Sequence, residues 1–198
     1  DKEKLGITNA VKQNTTGAGY APDRFQSAWK WSNTSNPLDV VERRTSVNTY
    51  NANSEVVVLG WDPADTHTSN FWEELASVDA SGSSSTMDTG SFTAKKYLWI
   101  QTYIGTPTAL ANHSFIFNGD TGSNYAIRYN IDGSGEATDV SRADALVPHQ
   151  GGASETGIFA NTFIINNSAN EKLIISHEVV EKGAGAAAVP ARYEHAGK

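Results

Sequence analysis

The chain has 198 residues, 38% of them hydrophobic and 19% charged, and a net charge of −7. That length buries one good core and hardly two, and the balance is that of a folded domain with a quiet surface rather than a disordered segment. The acidic excess argues against a nucleic-acid partner, which needs clustered Lys and Arg; the absence of cysteine excludes disulfides and thiolate metal sites; and no run of eighteen apolar residues is present to insert into a membrane as a helix.

In chain order, "FQSAWKW" (Phe25–Trp31) and "PLDVVERRTS" (Pro37–Ser46) are the first strand candidates after the N-terminal segment, followed by "SEVVVLGW" (Ser54–Trp61). "DPADTHTSN" (Asp62–Asn70) is rich in turn residues and is the natural place for a module boundary. "NFWEELASV" carries the best helix signal: Asn70 as N-cap with Glu73 three residues on forms a capping box for one or two turns, although the same letters suit a strand starting at Leu75. "SGSSST" reads as a loop. Then come "KKYLWIQTYI" (Lys95–Ile104), "HSFIFN" (His113–Asn118), "NYAIRYN" (Asn124–Asn130), "NTFIIN" (Asn161–Asn166) and "EKLIISHEVVE" (Glu171–Glu181), with the polar loop "VPHQGGASETG" before the last two. These segments are short, β-branched and aromatic, and are separated by turn pairs such as Asn118-Gly119 and Asp132-Gly133. The pattern predicts an all-β fold, a two-sheet antiparallel sandwich of jelly-roll-like form with helix under about a tenth of residues. The expected core is Ile127, Tyr125, Phe115, Phe117, Leu98, Ile100, Val56, Val58, Ile164, Leu173 and Ile175, since alternation turns half of each strand inward.

The two ends of the chain resemble each other. Without gaps and at an offset of 168, residues 1–30 lie over 169–198 with eleven identities in thirty: Glu3/Glu171, Lys4/Lys172, Leu5/Leu173, Ile7/Ile175, Val11/Val179, Gly17/Gly185, Ala18/Ala186, Pro22/Pro190, Arg24/Arg192, Ala28/Ala196 and Lys30/Lys198. Average composition would give roughly two. A period of 168 is too long for a solenoid repeat and ordinary for a domain. This predicts a tandem-module arrangement, with 1–62 the C-terminal part of one β-sandwich module and 71–198 the body of the next; one circularly shifted sandwich is the alternative. Glu3, Leu5, Ile7 and Val11, with Glu171, Leu173, Ile175 and Val179, are then the assembly strands. The equal parity of the apolar members presents the same face in both copies. The last strand, lacking a continuation, is expected as an unpaired edge or paired with a neighbouring module.

Chemical motifs are sparse. "GAGAAA" (Gly183–Ala188) fits the loose dinucleotide pattern, but Pro190 follows at once and no periodic helix does, so a strand–strand connection is expected. His67, His113, His149, His177 and His195 lack helical metal-ligand spacing, and no nucleophile elbow occurs; no catalytic residue, transition metal or other cofactor is expected. "FNGDTGSN" offers Asn118, Asp120 and Asn124 as candidate oxygen ligands for Ca²⁺, against the plainer reading of a turn in which Asp120 caps its own backbone. Trp29, Trp31, Trp61, Trp72 and Trp99 read as core first and as sugar- or protein-contacting second. The N-terminal "DKEKLG" does not read as a signal peptide.

The phrases "WEELASV", "GSFTAKKYLWIQTYI", "FNGDTGSNYAIRY", "NTFIIN" and "SEVVVLGW" resemble repeated β-sandwich modules of structural and appendage proteins from environmental, marine tailed phages. In that family the "ELASV" phrase opens the module and the "VVVLG" phrase closes it. Here the closing phrase (Ser54–Gly60) precedes the opening one (Trp72–Val78), as in a frame cut from a tandem array. The resemblance implies a non-enzymatic protein that packs head to tail with copies of itself or neighbouring modules, on a virion, an extracellular surface or a filament. A lectin-like sandwich holding surface glycans is the alternative, and a glycosidase, needing two convergent carboxylates, a third.

Overall fold

The computed structural model describes residues 4–13, 15–32, 40–43, 54–58, 72–80, 86–105, 113–147, 157–166, 171–182 and 185–198. They form ten strands: β1 (Lys4–Lys12), β2 (Asp23–Trp31), β3 (Tyr97–Gly105), β4 (His113–Phe115), β5 (Tyr125–Ile131), β6 (Ala137–Arg142), β7 (Ala145–Val147), β8 (Gly157–Ile165), β9 (Leu173–Glu181) and β10 (Ala191–Gly197). No helix occurs among the described residues, and the fold is all-β, as its composition predicts. The chain divides into two compact units, Asp1–Leu5 with Lys30–Thr93, and Gly6–Trp29 with Ala94–Lys198.

In the first unit the described segments 40–43, 54–58 and 72–80 are neither strand nor helix. The helix or strand expected at 70–78 is therefore absent over 72–78, and the Val-rich run from Ser54 forms no strand over 54–58. Val56 and Val58, expected in the core, are 59% and 65% exposed. Valine fits a pleated surface only when a partner strand supplies one. The Asp62–Asn70 boundary, Trp61 and His67 lie outside the described residues.

The second unit is built on a six-stranded sheet of order β3-β8-β9-β10-β5-β6, every pair antiparallel. Its turns follow local chemistry. Asn118 and Gly119, and Asp132 and Gly133, all have positive φ. The Asp120 amide donates to the Phe117 carbonyl and the Ser134 amide to the Ile131 carbonyl. Paired positive φ with such a bond makes a type I′ turn, for which Asn-Gly and Asp-Gly are the preferred pairs.

The two faces of the sheet are unlike. On the inner face the register aligns Leu98, Ile164 and Ile174 in one row and Ile104, Ile158, Val180 and Ala191 in another. The small sheet of β4 and β7 covers the first row, where Phe115, Phe117, Ala145 and Tyr125 pack with Ile164 and Ile174. The expected core residues Tyr125, Ile127 and Ile164 are buried, and Leu98, Ile100, Phe115 and Phe117 partly so. Leu173 and Ile175 are only half-buried, because β9 turns Ile174, Ser176, Glu178 and Val180 inward instead.

Ile164→Ala should cost about 2–5 kcal/mol, the range for truncating a buried aliphatic side chain. Phe163→Ala, one residue away on the other face, should cost less than half as much. Urea titration of both variants checks the face assignment, and equal losses would contradict it.

Candidate assembly surface

The outer face of the sheet carries the features that invite a function, and half of it is occupied by β1 and β2. These two strands pair only with each other among the described residues. A connection of residues 13–22 is too short for a parallel crossover, so they form a hairpin. That hairpin repeats β9–β10. Subtracting 168 from Leu173–Glu181 gives 5–13, against Lys4–Lys12 observed; subtracting it from Ala191–Gly197 gives 23–29, against Asp23–Trp31. Gly17 and Gly185, which are 168 apart, have φ of 97° and 90°. The Tyr20 amide meets the Gly17 carbonyl at 3.3 Å, and the Ala188 amide meets the Gly185 carbonyl at 3.1 Å. The "GAGAAA" segment is thus a turn between strands over its described part, with no helix to receive a pyrophosphate.

The copy lies on the original. Arg24 Nη1 donates to Glu194 Oε2 at 2.8 Å and Gln26 Nε2 to Glu194 Oε1 at 2.7 Å. Gln26 and Glu194 are themselves 168 apart, so a residue meets its own counterpart. Alternation puts Arg24 and Gln26 on one face of β2, and Arg192 and Glu194 on the corresponding face of β10. Equivalent faces therefore meet, the mark of an isologous contact. Orientation agrees: the turn of the first hairpin lies at the open end of the second, where Gln13 Nε2 and the Gly17 amide both donate to the Glu171 carboxylate at 2.7 Å. Lys198 Nζ lies 3.3 Å from Glu171 Oε2 and also donates to the Thr15 carbonyl. At the other flank Arg128 Nε donates to the Pro22 carbonyl at 2.6 Å, and Glu136 bridges Arg24 and Arg128 at 3.0 and 3.2 Å. Burial opposes ionisation of Glu194, but the hydrogen bonds of Gln26 and Arg24 and the charges of Arg192 and Arg24 outweigh it and hold the carboxyl below its ordinary pKa.

Beside the hairpin the outer face is aromatic. Tyr97, Trp99, Gln101 and Tyr103 of β3 alternate outward, as do Phe159, Asn161, Phe163 and Ile165 of β8, and the register sets them in pairs. Trp99 and Phe163 stack with centroids 5.7 Å apart and planes 9° from parallel, and Trp99 Nε1 donates to Asn161 Oδ1 at 3.1 Å. None of the eight is charged. Trp31, Trp72 and Trp99 are each more than a third exposed, against their expected place in the core; the side chain of Trp29 lies outside the described residues.

The assembly strands drawn from the sequence are placed as follows. β10 is not an edge: it pairs with β9 on one side and β5 on the other, so the expected unpaired or borrowed last strand is corrected. Leu173 and Ile175 are half-buried and Val179 is exposed on the outer face, while Leu5 and Ile7 are 78% and 81% exposed and Val11 half-buried. Glu171 receives the first hairpin; Glu3 lies outside the described residues. Of the calcium candidates, Asp120 and Asn124 are together: Asp120 Oδ1 accepts from the Gly122 amide at 2.9 Å, and Asn124 Nδ2 lies 3.1 and 3.0 Å from the two carboxylate oxygens. This carboxylate serves the turn, which Tyr125 completes by donating to the Asp120 carbonyl at 3.0 Å. Asn118 enters through its positive φ.

Sequence reasoning missed Arg24, Gln26 and Glu194, and also a polar patch in the middle of the inner face. Thr162, Ser176, Glu178, Tyr193 and His195 are all buried there. Thr162 Oγ1 and Ser176 Oγ share a hydrogen bond of 2.7 Å, and Tyr193 and His195 stack with centroids 6.3 Å apart. Neither ring nitrogen of His195 has a hydrogen-bond partner among the described residues. The patch has the residue types of an acid–base site, and each member is buried. Only the conjunction of echo and strand pairing, absent from any local window, would have revealed these residues. No protein family, curated protein or solved structure matches the chain.

Burial, and then the charges of His177 and Arg24, push the His195 pKa down to about 3, with Glu194 opposing weakly. The folded chain therefore keeps a neutral imidazole while the unfolded chain protonates near pH 6.5. The contribution is fully present above pH 6.5 and is lost as pH falls from there toward 3, at up to roughly 1.4 kcal/mol per pH unit. Between pH 7 and pH 5, above most carboxylate titration, His195→Leu should flatten the loss of stability measured in urea. An unchanged pH slope would contradict the burial of a neutral ring.

Proposed function

We propose that this chain is a non-enzymatic structural protein: a jelly-roll-like β-sandwich module of a tandem arrangement with period 168, which builds a larger assembly by packing its sheets against copies of itself or neighbouring modules. The observation that supports this reading is the doubled hairpin, one copy laid on the other through the same face and held by Glu194. A protein that already recognises its own hairpin needs no new chemistry to recognise a second module. The contact joins like faces, so it closes a pair; a head-to-tail filament then calls for a second, unlike contact, for which β3 and β6, the end strands of the six-stranded sheet, are suited by strand addition. A virion or an extracellular surface is the place proposed for this assembly, and the resemblance of the "FNGDTGSNYAIRY" phrase to phage appendage modules is what supports it.

One observation favours a second reading. The flat Trp99–Phe163 stack with Gln101 and Asn161 beside it has the chemistry of a sugar platform, an apolar plane for a pyranose face with amides at its rim. The two readings part in light scattering of the purified chain at rising concentration. The structural reading predicts a mass above the 21.2 kDa of one chain. A constant single-chain mass, with saturable glycan binding that Trp99→Ala abolishes, would replace it with the lectin-like one.

A further inference from the structure

We propose that Gln26 and Glu194 form a pairing code: a hairpin that carries glutamine at this position seats on a hairpin that carries glutamate, and two glutamate faces reject each other. The code says which faces can meet in the structural role above, and its reach to neighbouring copies rests on that role.

The first argument is where the two copies differ. Arg24 and Gln26 stand on the contacting face of β2, and Arg192 and Glu194 on the contacting face of β10. Arginine stands at both 24 and 192, while 26 holds glutamine and 194 holds glutamate. The side chains that differ are the ones that meet: Gln26 Nε2 donates to Glu194 Oε1 at 2.7 Å. Two identical hairpins would bring this residue against itself, as an isologous contact does near its axis. The copies thus diverge at the place where identity would matter most.

The second argument is the chemistry of that meeting. A carboxylate only accepts hydrogen bonds, whereas an amide of the same length also donates. Both oxygens of Glu194 are engaged from β2, Oε1 by Gln26 and Oε2 by Arg24 Nη1 at 2.8 Å. Glutamate at position 26 would set a second carboxylate against the first with no proton between them, and like charges that close do not both stay ionised. Glutamine at position 194 would take from Arg24 the nearer of its two carboxylates and leave it Glu136 at 3.0 Å. Of the other titratable groups nearby, Arg192 Nη1 lies 3.8 Å from Glu194 Oε1, and His177 stands beside Glu194 in the β9–β10 register. Two arginines, one from each copy, therefore flank a single carboxylate.

The junction is symmetric in its arginines and asymmetric only in its acid. Exchanging the two side chains should then restore it, with the carboxylate on β2 between Arg24 and Arg192 instead of on β10. The same chemistry decides partners by repulsion as well as attraction. Two chains do not join through their Glu194 faces; such a face accepts a glutamine hairpin, its own or that of a second copy.

Urea denaturation of the wild type, Gln26→Glu, Glu194→Gln and the double variant that exchanges the two side chains tests this. Gln26→Glu should lower the folding equilibrium constant at least about threefold in the wild-type background and raise it at least about threefold once Glu194→Gln is present, the scale of a partly exposed ion pair. The change of sign is what a code requires, since a side chain that only fills space acts in the same direction in both backgrounds. If Gln26→Glu alone does not fold, that is the loss expected of it, and the comparison of Glu194→Gln with the double variant still decides the second sign. Gln26→Glu that destabilises in both backgrounds, or changes nothing in either, would overturn the proposal and leave the structural role to its own test by light scattering. A single-chain mass at every concentration, together with the change of sign, would support the code within one chain and overturn its extension to neighbouring copies along with the structural role.

Discussion

Glu194 stands on a central strand of the six-stranded sheet, its side chain about nine-tenths withdrawn from water, and it stays ionised because Arg24 and Gln26 arrive from another layer to satisfy both carboxylate oxygens. Taking an acid out of water is costly, and a partner with good geometry recovers the cost only if it is held in place. Here the partner is held by the hairpin, and the hairpin by the flanking contacts at Glu171, Lys198, Arg128 and Glu136. Remove the hairpin and the outer face of β10 and β5 is left with a stranded carboxylate beside the fully buried Ala126 and Ala196. The sheet and its cover are thus one electrostatic unit.

The cover is also a copy, and this explains its geometry. Two hairpins of equal turn, equal strand placement and equal parity offer each other identical faces. Long polar residues stand there, and Arg24 and Gln26 of one layer bridge to Glu194 of the other. A contact in which Gln26 meets its own counterpart lies close to a local two-fold axis. The inner face needs no such device. Its end rows are aliphatic, and the two rows between them bury polar groups: Thr162 and Ser176 satisfy each other beside His195, which burial keeps neutral, and Glu178 lies in the next row beside Tyr193.

Much of the fold is legible in the sequence where local chemistry decides. Asn118-Gly119 and Asp132-Gly133 announce their turns because few other pairs accept two positive φ values in succession. β3, β5 and β8 are legible from aromatic and β-branched runs. β6 and β7 are not: "ATDVSR" and "ALV" carry little propensity, and they become strands because β5 and β4 pair with them. The Val-rich segment at 54–58 fails the opposite way, with propensity but no ladder. In β9 both parities are apolar at the start, so pattern alone cannot choose between Leu173/Ile175 and Ile174/Val180; the choice falls to the packing of Ile164 and Ile158 opposite. The site was half legible. The echo located both hairpins, yet nothing in either end of the chain says that one lies on the other, or that Glu194 would be buried by residues 168 and 170 positions away.

The account's central claim is that the first hairpin is fastened to its own copy through Glu194. A double-mutant cycle with Arg24→Ala and Glu194→Gln, read by urea denaturation at neutral pH, measures that link directly. The buried pair predicts a coupling energy of about 1–3 kcal/mol, because Arg24 loses most of its effect once the carboxylate is gone. Single-variant losses that add to within about 0.5 kcal/mol would show that the two residues do not meet and that the hairpin lies elsewhere.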